Sequence, residues 1–188
     1  MSPTDSRAAD ILYPLSAFAD DQADGVTCAG ILEAEELPQP YRTLLAHDRD
    51  MTGTLETYFK QPMGLKVFSK HTDGDSLFRQ VVLLGEDDQK PKEFGAIRID
   101  LSAFDRETRA VVAACGVPLG RVLREHGVAY VSNPSAYLKV EPNALLCRAL
   151  QTTTGPLYGR KNELTTPDGR AIAQIVEILP PLADETVT

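Results

Sequence analysis

Tryptophan is absent from the 188 residues, aromatic side chains make up 6% of them, and there are three cysteines. Scarce aromatics argue against a protein that binds nucleic acid by stacking bases. The formal charge of −8, from 27 acidic and 19 basic side chains, argues the same way, because phosphate binding is carried by Lys and Arg. Cys28, Cys115 and Cys147 are odd in number, widely spaced and free of any CxxC or zinc-like pairing with histidine, so free thiols in a reducing compartment are expected. No stretch approaches the ~18 continuous apolar residues of a transmembrane helix. The start MSPTDSRAAD lacks the basic and apolar regions of a signal peptide. A cytoplasmic protein with neither nucleic acid nor membrane among its partners is the expectation. GxGxxG, Walker A, HExxH and GxSxG motifs are all missing, and no histidine has a second ligand at metal spacing, so neither cofactor nor metal is expected.

What is present suffices for one domain. Apolar residues make up 43% and charged residues 24%, enough for a core at this length. The acidity is uneven. Residues 1–37 hold eight acids against Arg7 alone, the last eight residues add Asp184 and Glu185, and residues 38–180 are left with 17 acids and 18 bases. We therefore divide the chain into an acidic leader (1–37), a domain (38–180) and a tail (181–188). Apolar spacing predicts helices from Tyr41, over Met51–Phe59, over Asp105–Cys115 and over Leu119–Glu125, with Arg121 on a solvated face. Asp50 reads as the cap of the second helix. Strands are expected at 65–69, 77–84, 94–101, 129–140 (bent at Asn133-Pro134), 157–164 and 171–179, with hairpin turns at 85–91 and 165–169. Hairpins grouped apart from helices imply an α+β domain on an antiparallel sheet.

Three charged residues stand in apolar strands. Arg79 lies between Phe78 and Val81-Val82-Leu83-Leu84, Arg160 follows Tyr158-Gly159, and Glu177 sits within Ile175-Val176…Ile178-Leu179. Strand alternation can turn each of them to solvent. On a buried face, an ionised group costs several kcal/mol unless it is paired or serves a ligand. If the three converge, two cations and a carboxylate suit a hydroxy-acid of modest size.

The ordered segments Leu44-Leu45…Asp50-Met51-Thr52, Phe78–Leu84, Pro118-Leu119-Gly120-Arg121, Tyr158-Gly159-Arg160-Lys161 and Val176–Pro180 resemble the chorismate–pyruvate lyase (4-hydroxybenzoate synthase) family, in a divergent lyase-like branch. The resemblance spans about residues 41–180. It implies an antiparallel sheet of about six strands with helices packed around it and an internal ligand cavity. The implied function is a cofactor-independent lyase eliminating pyruvate from chorismate to give a hydroxybenzoate, 4-hydroxybenzoate first. Carried over, Arg79 and Glu177 are the catalytic residues. Met51, Arg79, Leu119 and Glu177 contact substrate, with Arg160 added for the enolpyruvyl carboxylate. A monomer or weak homo-oligomer is expected. The alternative is a non-catalytic domain that binds or senses an aromatic acid, since the sensing domains of one class of bacterial regulators share the fold. The 37 residues before Pro38 are too few and too acidic to supply a DNA-binding domain, which puts the enzyme first.

Overall fold

A computed structural model describes residues 10–21 and 26–182. Seven strands, β1 (Thr27–Leu32), β2 (Met63–Asp73), β3 (Ser76–Gly85), β4 (Pro91–Asp100), β5 (Val131–Glu141), β6 (Leu157–Thr165) and β7 (Ala171–Leu179), form one antiparallel sheet in the order β1-β5-β6-β7-β4-β3-β2. Five α-helices accompany it among the described residues: α1 (Tyr41–Leu45), α2 (Met51–Phe59), α3 (Arg106–Ala114), α4 (Leu119–Glu125) and α5 (Ala144–Leu150). The single-domain α+β architecture is as the hairpin signals imply.

Local chemistry places the elements. Asp50 caps α2 by accepting from the Gly53 amide at 2.8 Å, and Asp105 caps α3 by accepting from the Thr108 amide at 2.8 Å, each satisfying one of the amides a helix start leaves unpaired. The β6–β7 hairpin turns at Gly169, whose φ of 88° suits glycine, and closes with the Thr166 amide on the Arg170 carbonyl at 2.8 Å. The register shift between Pro134 and Ala136 is the bend foreseen at Asn133-Pro134, since proline cannot donate to the ladder.

Both faces of the sheet are covered. Leu77, Val81, Ile97, Ile99 and Ile175 pack under Val112 of α3 and Leu119, Val122 and Leu123 of α4. On the opposite face Val82, Phe94, Ala96, Val176 and Ile178 pack against Leu145, Leu146, Ala149 and Leu150 of α5. A third cluster joins Leu44, Leu45, Met51 and Leu55 to Met63, Leu83 and Leu179. Burial on two faces is why β3 and β7 read as apolar runs rather than alternating strands.

Three expectations change. The sheet has seven strands rather than about six. The extra strand, β1, comes from the segment assigned to the acidic leader and pairs with β5 at the sheet edge; Leu15 and Leu37 of that segment are buried too. Its alternating half-exposed pattern and central Gly30 carry little strand signal. Arg121 is tied down rather than solvated, donating to Glu56 Oε1 at 3.0 Å and to the Met63 carbonyl at 2.9 Å, which fixes α4 to α2 and β2. Residues 1–9 and 22–25 of the leader and 183–188 of the tail lie outside the described residues. Among the described residues no helix is long and apolar enough to cross a membrane.

Candidate functional site

The strand register aligns the site in successive rungs. Arg79 of β3 is opposite Ile97 of β4, which is opposite Ile175 of β7, and that is opposite Asn162 of β6. Two residues along, Val81, Gly95, Glu177 and Arg160 form the next rung. Two further still, Leu83 is opposite Glu93. Side chains two apart on a strand share a face, so all of these project toward the start of α2 and the Pro118–Gly120 turn that opens α4. Arg79, Glu93, Asn162 and Glu177, with Asp50, Met51 and Leu119 above them, line one pocket of about 40 Å³. A water needs about 10–15 Å³ by this measure, so the space holds roughly three waters or a ligand of a few heavy atoms.

Arg79 is the anomaly of this pocket. It is only 1% exposed, yet its Nε and Nη1 have no hydrogen-bond partner among the described residues. Val81, Ile97 and Ile175 beside it are apolar, and burial pulls its pKa below the usual arginine value, with the nearby Cys115 thiol partly offsetting this. A guanidinium presents its N–H groups in a planar fork that matches a carboxylate.

Arg160 and Glu177 are already committed to each other. The Arg160 Nε donates to Glu177 Oε2 in a buried ion pair. Nη1 donates to the carbonyls of Leu45 at 3.1 Å and His47 at 2.9 Å, and Nη2 to the Arg49 carbonyl at 3.1 Å. One guanidinium thus pins the whole connection between α1 and α2, which sets Asp50 and Met51 over the pocket. His47 belongs to the same knot. Its Nε2–H donates to the Leu44 carbonyl at 2.8 Å, leaving Nδ1 to accept from the Arg49 amide at 3.1 Å. Burial and the Arg160 charge lower its pKa to about 4, so the ring is neutral.

Glu93 is 4% exposed and takes part in no ion pair among the described residues. Burial pushes its carboxyl well above the usual range, with Glu177 and Asp50 adding to the shift and Arg160 opposing it. The neutral carboxyl so favoured both donates and accepts. Asp50 accepts from the Tyr130 hydroxyl at 2.8 Å in addition to its capping bond, and burial with that bond raises Tyr130 to about 12. Asn162 is held by Ser132, to which its Nδ2 donates at 3.1 Å.

Of the residues expected from sequence, Met51, Arg79, Leu119 and Glu177 meet in this pocket. Arg160 does not line it; its hydrogen bonds go to Glu177 and the 45–49 carbonyls, so it is a brace and not a receptor for a second carboxylate. Glu93 and Gly95 escaped the sequence reading. The alternation Glu93-Gly95-Ile97-Ile99 is the signal that puts Glu93 on the face of Ile97, but the strand was expected to begin at Phe94.

No protein-family model matches the chain, and neither does any curated protein. Solved structures do share its fold. PhnF from Mycobacterium smegmatis aligns with a TM-score of 0.50 at 14% identity over 70% of this chain and 63% of that one, so the chain spans less than two thirds of that neighbour. The separately solved effector domain of PhnF gives 0.50 at 14% identity over 70% of this chain and 88% of that one. The ligand-binding domain of a protein assigned to the GntR family of transcriptional regulators, from Bordetella bronchiseptica, gives 0.49 at 16% identity over 65% and 86%. These are likenesses of fold.

They correct the functional expectation. The fold is shared with PhnF and its effector domain, so the expectation of a chorismate lyase, with its catalytic roles for Arg79 and Glu177, is withdrawn. The exclusion of nucleic acid is withdrawn with it. It rested on the acidity of the chain, and a domain that holds a small molecule need not be the one that touches phosphate.

Proposed function

We propose that this chain is a non-catalytic binding domain for a small organic acid, and that it senses that acid. Arg79 receives the carboxylate, Met51 and Leu119 wall the slot, and Glu177 is held in place by Arg160. The observation that carries this reading is the buried guanidinium whose Nε and Nη1 have no partner among the described residues. A folded chain retains so costly a group where a ligand completes it. The likeness of fold to the effector domain of PhnF supports the same reading. The site joins the sheet to the starts of α2 and α4, so a bound acid would bridge three elements and favour their closed packing, which is how a sensing domain transmits occupancy. We take β1 to β7 with their helices as the binding unit, including the edge strand from the acidic segment.

Calorimetric titration of the purified chain with acetate, butanoate, pentanoate and benzoate tests this. Saturable binding accompanied by a rise in melting temperature is expected, and Arg79→Met is expected to abolish it. Binding of equal strength in Arg79→Met, or no binding by any of the four at millimolar concentration, would refute the assignment.

A further inference from the structure

A second unmatched group lies at the other end of the same slot. The Glu93 carboxyl leans back over Gly95, so that a Cβ placed on Gly95 would sit 3.1 Å from Glu93 Oε1 and 3.4 Å from Val81 Cγ2. Gly95 is directly opposite Glu177. Two carboxyl groups therefore converge above a residue with no side chain, and the one cation beside them, Arg160, is spent on Glu177 and the 45–49 carbonyls. Arg79 stands on the rung of Ile97, two residues away along β4, which is about 7 Å at the rise of a strand. Between the two ends the walls are apolar: Val81, Ile97, Ile175 and Leu119. Among the described residues, the slot keeps a cation without an anion on one rung and a carboxyl without an ion-pair partner on another.

Resting on the assignment of Arg79 as carboxylate receptor, we infer that the ligand is a small zwitterion of the ω-amino acid type, with its carboxylate on Arg79 and its terminal ammonium on Glu93. A simple acid satisfies only half of the site. An α-amino acid carries its ammonium next to the carboxylate, at the Arg79 end, where it meets like charge. A terminal ammonium reaches the end where Asp50 and Glu177 outnumber Arg160, and on arriving it draws the proton off the Glu93 carboxyl, so that an ion pair forms with release of that proton to solvent. Arg79 and Glu93 stand on different rungs of the one pocket, so the two charges of the ligand are separated by a short carbon chain. Glu93 is then the residue that sets specificity, and Gly95 keeps the floor open beneath the chain of the ligand.

The experiment is a calorimetric series on the full chain at neutral pH: butanoate against 4-aminobutanoate, pentanoate against 5-aminopentanoate, and 2-aminobutanoate as the misplaced amine. The terminal amines should bind about tenfold tighter, or more, than the matching simple acids, as expected for a charge-assisted hydrogen bond, and 2-aminobutanoate should show no gain. Glu93→Gln should remove the gain, and Glu93→Asp should keep part of it. Simple acids that bind through Arg79 with no gain from a terminal amine overturn this inference and leave the acid-binding assignment standing. Equal gains from terminal and 2-amino groups overturn it as well. Binding by none of the probes overturns both. The unaltered chain supplies the deciding comparison, so a folding defect in Glu93→Gln does not remove the test.

Discussion

Arg79→Met separates a ligand receptor from a structural arginine, because the two roles predict opposite signs for stability. A structural arginine such as Arg160 stabilises through its hydrogen bonds, and removing it destabilises. Arg79 is 1% exposed, leaves Nε and Nη1 without partners among the described residues and lies among apolar side chains. The effective cost of burying such a charge is several kcal/mol, and replacing buried charge by an apolar side chain of similar volume is often stabilising by about 1–4 kcal/mol. Methionine is unbranched and fills the same channel between Val81, Ile97 and Ile175. Taking about 2 kcal/mol as the gain, a domain of this size should melt about 4–8 °C higher, and its urea midpoint should rise with an unchanged slope. The same variant should no longer bind organic acids. Urea denaturation followed by circular dichroism, together with calorimetric titration, measures both. A lower midpoint in Arg79→Met would refute the reasoning, since it would mean that the guanidinium already stabilises the empty protein.

Arg160→Met should act in the other direction. It leaves Glu177 as a buried charge without a counter-ion and three loop carbonyls short of a donor, so a loss of about 3–5 kcal/mol is expected by chemical denaturation. A loss below about 1 kcal/mol would show that the knot is not the brace described. His47 gives a pH signature. Its folded-state pKa is lowered from 6.5 to about 4, so the unfolded chain binds the extra proton in that window. Stability should therefore fall as pH drops from 6.5 through 4, by roughly 1–2 kcal/mol after allowance for solvent screening at a half-buried ring. His47→Gln should flatten that part of the profile, and an unchanged profile would count against it. Tyr130 has the opposite arrangement, with its pKa raised to about 12. Its contribution is complete below pH 10 and fades between 10 and about 12, and phenolate absorbance should show one tyrosine titrating late that is missing in Tyr130→Phe. Gly95→Ala should weaken binding of every acid that binds, because the new methyl group lies 3.1 Å from Glu93 Oε1; undiminished affinity would place the ligand elsewhere.

Much of the site was legible in one dimension. Arg79 and Glu177 are conspicuous as ionisable residues inside apolar strand sequences, and the cost of burying charge marks such positions without any coordinates. Asp50 before Met51-Thr52-Gly53 announced a helix cap by local chemistry alone. Arg160 was equally conspicuous and its role was misjudged, because sequence shows where a buried charge would be costly but neither whether it is buried nor what it is paired with. Glu93 was missed for a related reason. Beside the turn-rich 85–91 stretch it looks solvated, and only the register of β4 against β3 and β7 turns it inward beside Glu177.

The sequence by itself determined the α+β class, the positions of α2, α3 and α4 and the hairpins of the central strands, because these follow from near-neighbour periodicity and capping. The tertiary structure alone decided that β1 completes the sheet, that Arg160 bonds Glu177 and the 45–49 carbonyls, and that Arg79 and Glu93 line one pocket. Those facts depend on register between strands far apart in the chain, where a shift of one residue would turn every side chain to the other face.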